Sequence, residues 1–433
     1  MSDPQPGFST RQVHVGEDVA SATPRATPIH LTAGFTFDSF QQGVDHFGAG
    51  VGFGYTRIGN PTTDAVERKL ASLDGGTSAL LVASGQAAVT GAILSSAGAG
   101  DHIVVSDHIY EGSRGLFLDV LARFGIETSF VSDIRNAQAW RNAIRPNTKV
   151  LFGETISNAA NRLLDVRQVA DIAEEHGIPL IVDSTFSTAY LQRPLEDGAA
   201  LVVHSTSKFI SGQGAVIGGV IIDGGHFDPA RDGARAPHLV APGAHGDASA
   251  AEKHGGSARL GWARDVLVPR LGPSLSPLNA FFIGQGLETL SLRVREHSRN
   301  AAVVAAWLEA QPAVASVDYV GLPSHPDHDL VERLLPRGAG SVFTFTLHGG
   351  RAAAEHVIES VQTFTHMTHL GDVRSLILHP ATTSHVHATP DRRADVGVHE
   401  GTLRVSIGIE DVDDLIADLD RAFAGLPTEA VTA

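Results

Sequence analysis

From Asp64 onwards, short apolar runs alternate with segments of helical periodicity. This pattern is typical of a mostly parallel sheet with helices on both faces, so we predict an α/β fold. The predicted strands are SALLVAS (78–84), HIVVSD (102–107), KVLFGE (149–154), PLIVDS (179–184), ALVVHS (200–205) and AVIGGVIID (215–223). The segments DAVERKLASLD and VRQVADIAEEHG predict intervening helices, and Gly177 is placed to end the second one.

The remaining segments predict three parts. Residues 1–62 have little periodicity and many Gly, Pro and Thr, which indicates an extended arm. Residues 228–262 are rich in Ala, Gly, His, Asp and Pro and predict a long surface loop within a large domain, 63–270. Residues 276–311 predict one or two long helices, after which strand and helix patterns alternate. We therefore expect a smaller C-terminal α/β domain, 271–433, with an antiparallel sheet.

Charge and composition exclude several classes of protein. Among 433 residues, 32 Lys and Arg face 48 Asp and Glu, which disfavours nucleic-acid and anionic-membrane binding. The absence of cysteine excludes disulfides, thiolate nucleophiles and cysteine metal sites, and agrees with a cytoplasmic location. The first ten residues lack the features of a signal peptide, and no run of about 18 apolar residues predicts a membrane span.

Lysine is rare in this chain. The four lysines, Lys69, Lys149, Lys208 and Lys253, compare with 28 arginines. A lysine kept in an apolar setting suggests an amine that must deprotonate, which an arginine cannot do. Lys208 has that setting.

Several common motifs are absent from the sequence. It contains no P-loop, G-x-G-x-x-G, G-x-S-x-G or H-E-x-x-H motif, which disfavours nucleotide hydrolysis, dinucleotide binding and α/β-hydrolase chemistry. Pairs of histidines occur at His325 and His328, His366 and His369, and His385 and His387. Because carboxylates at matching spacing are missing, we expect structural histidines and no metal.

One strand enters a helix through Ser84, Gly85 and Gln86. Free N–H groups at such a junction suit a phosphate. A plain N-cap is the alternative.

Two later strands end in residues that can carry chemistry. Asp183 ends one strand, and Ser205, Ser207 and Lys208 follow the next. A carboxylate can hold a pyridinium N–H, a lysine can form a Schiff base, and hydroxyls can bind a phosphate, which together are the requirements of pyridoxal 5′-phosphate (PLP). A structural ion pair between Asp183 and Lys208 is the alternative.

Two tyrosines fall in matching places. Tyr110 follows a strand end, where its ring can stack on a bound ring. Tyr55 and Arg57 lie in the glycine-rich arm, which can reach across a dimer interface to a phosphate. Either tyrosine alone is equally consistent with packing.

The motifs YTRIGNPT, SGQAA, ETISN, VDSTF, HSTSK, RSLILHPATTSH and LRVSIGIE occur in this order between Thr10 and Gly425. In this combination the chain resembles the Cys/Met-metabolism family of PLP-dependent enzymes, and within it the O-acetylhomoserine sulfhydrylase branch. The resemblance implies a PLP-dependent transferase type I fold. It also implies an active site completed by a neighbouring subunit and a homotetramer made of two dimers.

The resemblance implies roles for residues at matching positions. Lys208 corresponds to the Schiff-base lysine, Asp183 to the partner of the pyridine nitrogen, and Tyr110 to the stacking tyrosine that also assists proton transfer. The implied phosphate site consists of Gly85, Gln86, Ser205 and Ser207, with Tyr55 and Arg57 from the neighbour.

For the substrate, the resemblance implies that Asn158 contacts cofactor or substrate and that Ser375 and Arg404 form a carboxylate clamp. The planar guanidinium of Arg404 suits a carboxylate. The proline usual after Asn158 is Ala159 here, and the cysteine common in the lyases after the stacking tyrosine is Gly112.

The implied reaction is γ-replacement in methionine biosynthesis: an O-acylhomoserine, preferably O-acetylhomoserine, and sulfide or a small thiol give homocysteine and acetate. Cystathionine γ-synthase, cystathionine γ-lyase and methionine γ-lyase activities are the alternatives with the same cofactor. A catalytically silent phosphate-ligand binding protein is the alternative from another class.

Overall fold

The computed structural model describes residues 6–16, 24–244 and 246–426. Its strands are β1 Ser78–Val82, β2 His102–Ser106, β3 Glu127–Val131, β4 Thr148–Glu154, β5 Leu180–Asp183, β6 Leu201–His204, β7 Gly219–Asp223, β8 Val314–Asp318, β9 Val342–Leu347, β10 Thr365–His366, β11 Leu376–Leu378 and β12 Thr402–Ser406. No helix within these described ranges is long and apolar enough to cross a membrane.

The helices are α1 Phe8–His14, α2 Phe40–Ala49, α3 Pro61–Asp74, α4 Gly85–Leu94, α5 Glu111–Gly115, α6 Ala137–Ala143, α7 Val166–Glu175, α8 Thr188–Leu191, α9 Pro229–Asp232, α10 Pro237–Val240, α11 Ala250–His254, α12 Ala258–Trp262, α13 Val268–Leu271, α14 Pro277–Leu287, α15 Leu290–Glu309, α16 Val331–Leu334, α17 Gly350–Ser360, α18 Pro390–Asp395 and α19 Val412–Ala424.

The first sheet has the strand order β1-β7-β6-β5-β4-β2-β3. Strand β7 is antiparallel to both neighbours, and the other pairs are parallel. The mostly parallel α/β sheet predicted from the apolar runs is therefore confirmed. Strand β7 begins only at Gly219, four residues later than predicted, and β3 was not predicted.

Successive residues of these strands point into two separate cores. Leu81 and Val104 belong to one buried apolar cluster, and their neighbours Leu80 and Ile103 belong to another. Because side chains alternate across a strand, the sheet is covered on both faces. Helices α3 and α7 begin at capping side chains, and α7 is followed by Gly177 with φ of 63°, in agreement with the predicted helix end.

The second sheet has the order β10-β11-β12-β9-β8. Its pairs are antiparallel except β10 with β11. Two helices, α14 and α15, occupy the predicted helical segment that precedes it. The antiparallel character expected of the C-terminal region is thus observed.

The arm contains more regular structure than its composition predicts. Helix α1 packs its Phe8 ring edge-on against Tyr190, with ring centroids 5.4 Å apart, and Gln12 donates to the carbonyl of Glu288 at 3.1 Å. Helix α2 adds a second regular element. The expectation of an extended arm is wrong over these helices. Parts of the arm, 1–5 and 17–23, lie outside the described residues.

The predicted surface loop 228–262 is also wrong, because the segment folds into short helices. Asp228 caps α9 ahead of Pro229, and Ser249 forms a capping box with Glu252 at the start of α11. Leu239 is fully buried in a small apolar cluster formed with neighbouring elements. The few apolar residues of this cluster are scattered along the segment, so they form a small core without a detectable period.

Candidate active site

The carboxyl ends of strands β5 and β6 carry the two central residues. Asp183 is the last residue of β5 and pairs with Val203 of the parallel strand β6. Lys208 follows four residues after β6 ends at His204. Adjacent parallel strands end at one edge of the sheet, which is where ligands bind in α/β folds.

The amine of Lys208 has an unusual environment. Burial, followed by the positive charge of Arg404, lowers the pKa of Lys208 to about 8. Its Nζ lies 3.1 Å from Nδ1 of His369. An appreciable neutral fraction near neutral pH makes this amine a nucleophile and a base.

The carboxyl of Asp183 is held by hydrogen bonds from its own loop and lies near His204, whose charge favours the ionised form. Its Oδ1 accepts from the N–H of Thr185 at 2.9 Å and from the Thr185 hydroxyl at 2.5 Å. Burial nevertheless raises the pKa of Asp183, because it outweighs these bonds. A cationic N–H placed beside Asp183 would stabilise its ionised form.

Glu154, at the end of β4, pairs with Asp183 across the sheet. Its Oε1 accepts from the N–H of Tyr110 at 2.7 Å, and the N–H of Asn158 also donates to it. Burial first and the nearby Asp183 second raise the pKa of Glu154 well above its usual range. The Glu154 carboxyl therefore binds the segments that carry Tyr110 and Asn158, next to the strand that ends at Asp183.

The start of α4 lies against the loop after β6. A Cβ on Gly85 would lie 2.7 Å from Cβ of Ser205, so glycine permits this close approach. Ser84 accepts from the N–H of Ala87, which leaves the N–H groups of Gly85 and Gln86 directed out of the helix end. Side-chain Oε1 of Gln86 is buried, with no hydrogen-bond partner in the described parts of the chain.

Ser207 has a different setting from Ser205. Its hydroxyl donates to the carbonyl of Gly218 at 3.2 Å and accepts from the Gly218 N–H at 3.0 Å. The one proton of this hydroxyl is therefore used within the fold, and binding an anion would require it to rotate away.

Tyr110 lies beside the start of α4. A Cβ on Gly112 would lie 2.4 Å from Cε1 of Tyr110 and 2.9 Å from Nε2 of Gln86, so the ring occupies the space above Gly112. The tyrosine is 46% exposed. Its ring is therefore held at the mouth of the site with surface available for stacking.

Arg404 is a buried cation on β12. Its Nη1 lies 3.4 Å from Oδ1 of Asn158, and its Nη2 donates to the carbonyl of His369 at 3.2 Å. Burial lowers the pKa of Arg404 to about 10, which leaves it charged at neutral pH. Among the described residues no carboxylate forms an ion pair with it, so its charge is available to an anion.

In the described parts of the chain, no hydrogen bond joins Ser375 to Arg404. Its hydroxyl donates to Glu410 at 3.0 Å and accepts from the N–H of Gly408 at 2.8 Å. It precedes Leu376 and so faces the opposite side of the sheet from Leu378, the residue paired with Arg404, about 10 Å along the strand. The Ser375 hydroxyl is therefore engaged within the fold, and a carboxylate clamp formed by Ser375 with Arg404 stays a prediction.

Tyr55 and Arg57 lie together but apart from the other predicted site residues of their own chain. The Arg57 guanidinium is 5.3 Å from the Tyr55 ring centroid and donates to the carbonyl of Pro269. Tyr55 is 44% exposed. Within the described ranges, neither residue has a hydrogen bond to Lys208 or Ser205.

Glu154 and His369 lie at this site although no functional role was predicted for either residue from the sequence. Glu154 is an acid at the end of an apolar strand, the same signal that identified Asp183. His369 was interpreted as a structural histidine, and only the fold brings it to Lys208. No group of three His, Asp or Glu residues suited to a metal is found in the residues described.

These groups fit PLP. Asp183 offers a carboxyl that a pyridinium N–H would ionise, Lys208 offers a partly neutral amine, and Gly85 and Gln86 offer outward N–H groups for a phosphate. The ring of Tyr110 borders the same space.

Comparisons with known proteins agree with this geometry. Residues 9–424 match the family described as Cys/Met metabolism PLP-dependent enzyme. An O-acetyl-L-homoserine sulfhydrylase of Corynebacterium glutamicum is 43% identical over 97% of both chains, and an L-methionine gamma-lyase of Treponema denticola is 37% identical over 96% of both.

A solved structure has a closely similar fold. It is a putative O-acetylhomoserine (thiol)-lyase of Campylobacter jejuni that contains N′-pyridoxyl-lysine-5′-monophosphate. The TM-score is 0.92 at 32% identity, covering 96% of this chain and 100% of that one.

Proposed function

The chain belongs to the Cys/Met metabolism family of PLP-dependent enzymes, and we propose that it catalyses γ-replacement on O-acetyl-L-homoserine. Hydrosulfide forms a C–S bond at the γ-carbon while the bond to acetate breaks, which gives homocysteine and acetate with no net redox change. The observation that carries this proposal is the convergence of Lys208, Asp183 and Arg404 at one edge of the fold.

Residues of three segments would hold PLP. Asp183 would accept the pyridine N–H, and Lys208 would bind the aldehyde carbon through Nζ. The outward N–H groups of Gly85 and Gln86, with the hydroxyl of Ser205, would hold the phosphate at the positive end of α4. When bound, PLP supplies an electron sink for the electron pair released from a substrate C–H bond. A phosphate role for Ser207 remains a prediction, since its hydroxyl bonds Gly218.

Lys208 would also move protons. Its Nζ would take the proton from the substrate α-carbon, for which the neutral amine is required. A pKa of about 8 keeps part of the population neutral at physiological pH. Tyr110, at the mouth of the site, would assist these proton transfers.

Arg404 and Asn158 would bind the substrate carboxylate and orient the amino acid. Arg404 is a buried cation without an ion-pair partner among the residues described, and Asn158 lies against its guanidinium. A planar guanidinium can donate two parallel hydrogen bonds to a carboxylate. Binding the substrate would therefore supply the charge that this buried arginine lacks.

The arm would complete the site of a neighbouring subunit, in a homo-oligomer that we propose is a dimer of dimers. Large apolar side chains of the arm are open to solvent in the single chain: Leu31 at 71%, Phe40 at 90%, Phe47 at 74% and Val51 at 63% exposure. Exposed apolar side chains of this number indicate an interface. The division into arm (1–62), large domain (63–270) and small domain (271–433) belongs to the same proposal, as does a cytoplasmic location.

The function is tested by product analysis with each donor and acceptor. Purified protein with PLP should form homocysteine and acetate from O-acetylhomoserine and sulfide faster than products from O-succinylhomoserine, and faster than with methanethiol. Preferred release of a thiol from methionine or cystathionine would instead assign a γ-lyase. Binding of PLP without turnover of any donor would support the silent binding protein.

A further inference from the structure

His369 is the side chain in hydrogen-bonding contact with Nζ of Lys208. The distance from Nδ1 to Nζ is 3.1 Å. The two residues are far apart in sequence, and His369 lies in the segment between β10 and β11 of the second sheet. A side chain from a connection in the second sheet thus contacts Lys208, which follows strand β6 of the first sheet.

Backbone contacts fix this histidine relative to the lysine segment. Its carbonyl accepts from Nη2 of Arg404 at 3.2 Å. Further along the same segment, the N–H of Val373 donates to the carbonyl of Gly212 at 2.9 Å, four residues after Lys208. The imidazole is therefore held beside Nζ by both Arg404 and the lysine loop itself.

The charges around the imidazole keep it neutral. Burial first, then the positive charges of Lys208 and Arg404, lower the pKa of His369 to about 4, and Arg374 acts in the same direction while Asp372 opposes it. A protonated lysine can only donate, so Nδ1 accepts and the imidazole proton resides on Nε2. That Nε2 is buried and has no hydrogen-bond partner in the described ranges.

We propose that His369 is a positioning residue for Lys208: its Nδ1 accepts a hydrogen bond from Nζ and holds the amine where it must meet the aldehyde of PLP. A free lysine side chain has many rotamers, and this bond selects among them. Donating one N–H to Nδ1 also directs the nitrogen lone pair away from His369. The inference rests on the proposed role of Lys208 as the residue that binds PLP.

Covalent capture of PLP by the cofactor-free protein tests this role without the acyl donor. Nζ and the aldehyde condense with loss of water, and the rate is followed by absorbance at several pH values and checked by borohydride trapping. We expect His369→Leu to slow capture about tenfold, the effect of losing one hydrogen bond to a charged group. His369→Asn, whose Oδ1 can replace Nδ1 as acceptor, should stay within about threefold of the unmodified protein.

The control is His366→Leu, which changes an exposed histidine of β10 three residues away and should leave the rate unchanged. Equal capture rates for His369→Leu and the unmodified protein at every pH would overturn the inference. If His369→Leu does not fold, His369→Ala decides: slow capture restored by added imidazole supports the role, and capture at the normal rate overturns it. Absence of covalent capture by the unmodified protein would instead contradict the proposed function.

Discussion

Leu378 lies directly opposite Arg404 where strands β11 and β12 pair. Residues that face each other in an antiparallel pair project from the same side, with Cβ atoms about 5 Å apart. Leu378 is fully buried, so an apolar side chain borders the cation proposed to bind the substrate. The apolar side chain of Leu378 affects which sulfur nucleophile the site would favour as second substrate.

We predict that sulfide is used far better than cysteine with O-acetylhomoserine as donor. Cysteine carries an ammonium group, and burying it beside Leu378 without a partner would cost at least about 2 kcal/mol. Sulfide carries no such group. Leu378→Glu should narrow the ratio of kcat/KM for sulfide to that for cysteine.

For Leu378→Glu, the quantity to compare with the unmodified protein is the ratio of kcat/KM for sulfide to kcat/KM for cysteine. A glutamate opposite Arg404 would also pair with it and weaken binding of the donor, but that effect is common to both acceptors and cancels. Leu378→Met, which keeps an apolar side chain, is the matched control. Similar catalytic efficiency with cysteine and sulfide in the unmodified protein would reassign the chain to cystathionine synthesis.

Glu154→Gln should make the stability of the cofactor-free protein less sensitive to a rise in pH above about 5. Because the pKa of Glu154 is raised in the fold, its contribution to stability is present below the unfolded value of 4.5 and is lost as pH rises towards the folded pKa. Glutamine keeps an acceptor for the Tyr110 N–H and does not ionise. We expect the free energy of unfolding of the variant, relative to the unmodified protein, to increase by about 1 kcal/mol or more from pH 5 to pH 8.

Denaturant unfolding at the two pH values measures this difference, with exposed Glu355→Gln as control. If the free energy of unfolding of Glu154→Gln, relative to the unmodified protein, is the same at both pH values, the Glu154 carboxyl is ionised in the fold.

Mixing two inactive variants tests whether Tyr55 and Arg57 contribute to the active site of a neighbouring subunit. Arg57→Ala and Lys208→Ala should each be inactive alone, because each site would lack one component. After subunit exchange, a dimer with one of each variant should contain one intact site, so up to about a quarter of the normal activity should return. Exchange demonstrated by mass spectrometry without any recovered activity would place Arg57 outside a shared site.

The strands that were not predicted from the sequence lie at the edges of the two sheets. The central strands have continuous apolar runs because both faces are buried, and these were predicted. Strands β3 and β8 lie at the ends of their sheets and are partly exposed, so their sequences ETSFV and VASVD lack such a run. The pattern method therefore missed the strands with the least burial.

The candidate site also combines features that are visible in the sequence with contacts that only the fold creates. The placement of Asp183 and Lys208 at the ends of neighbouring strands could be predicted, because the apolar runs before them are visible in the sequence. The partnership of Lys208 with His369 depends on how the second sheet packs on the first, which no local pattern encodes. The sequence also could not show that the Ser375 hydroxyl bonds Glu410, because that contact depends on the register of the second sheet.

Identification of the lysine that carries PLP tests whether Lys208 is the residue on which the proposed function depends. The protein, loaded with PLP, is reduced with borohydride, digested and analysed by mass spectrometry. We predict a yellow protein in which the pyridoxyl group is found on the peptide containing Lys208, and no covalent adduct in Lys208→Ala. Modification of Lys69, Lys149 or Lys253 instead, or an adduct at normal occupancy in Lys208→Ala, would contradict the account.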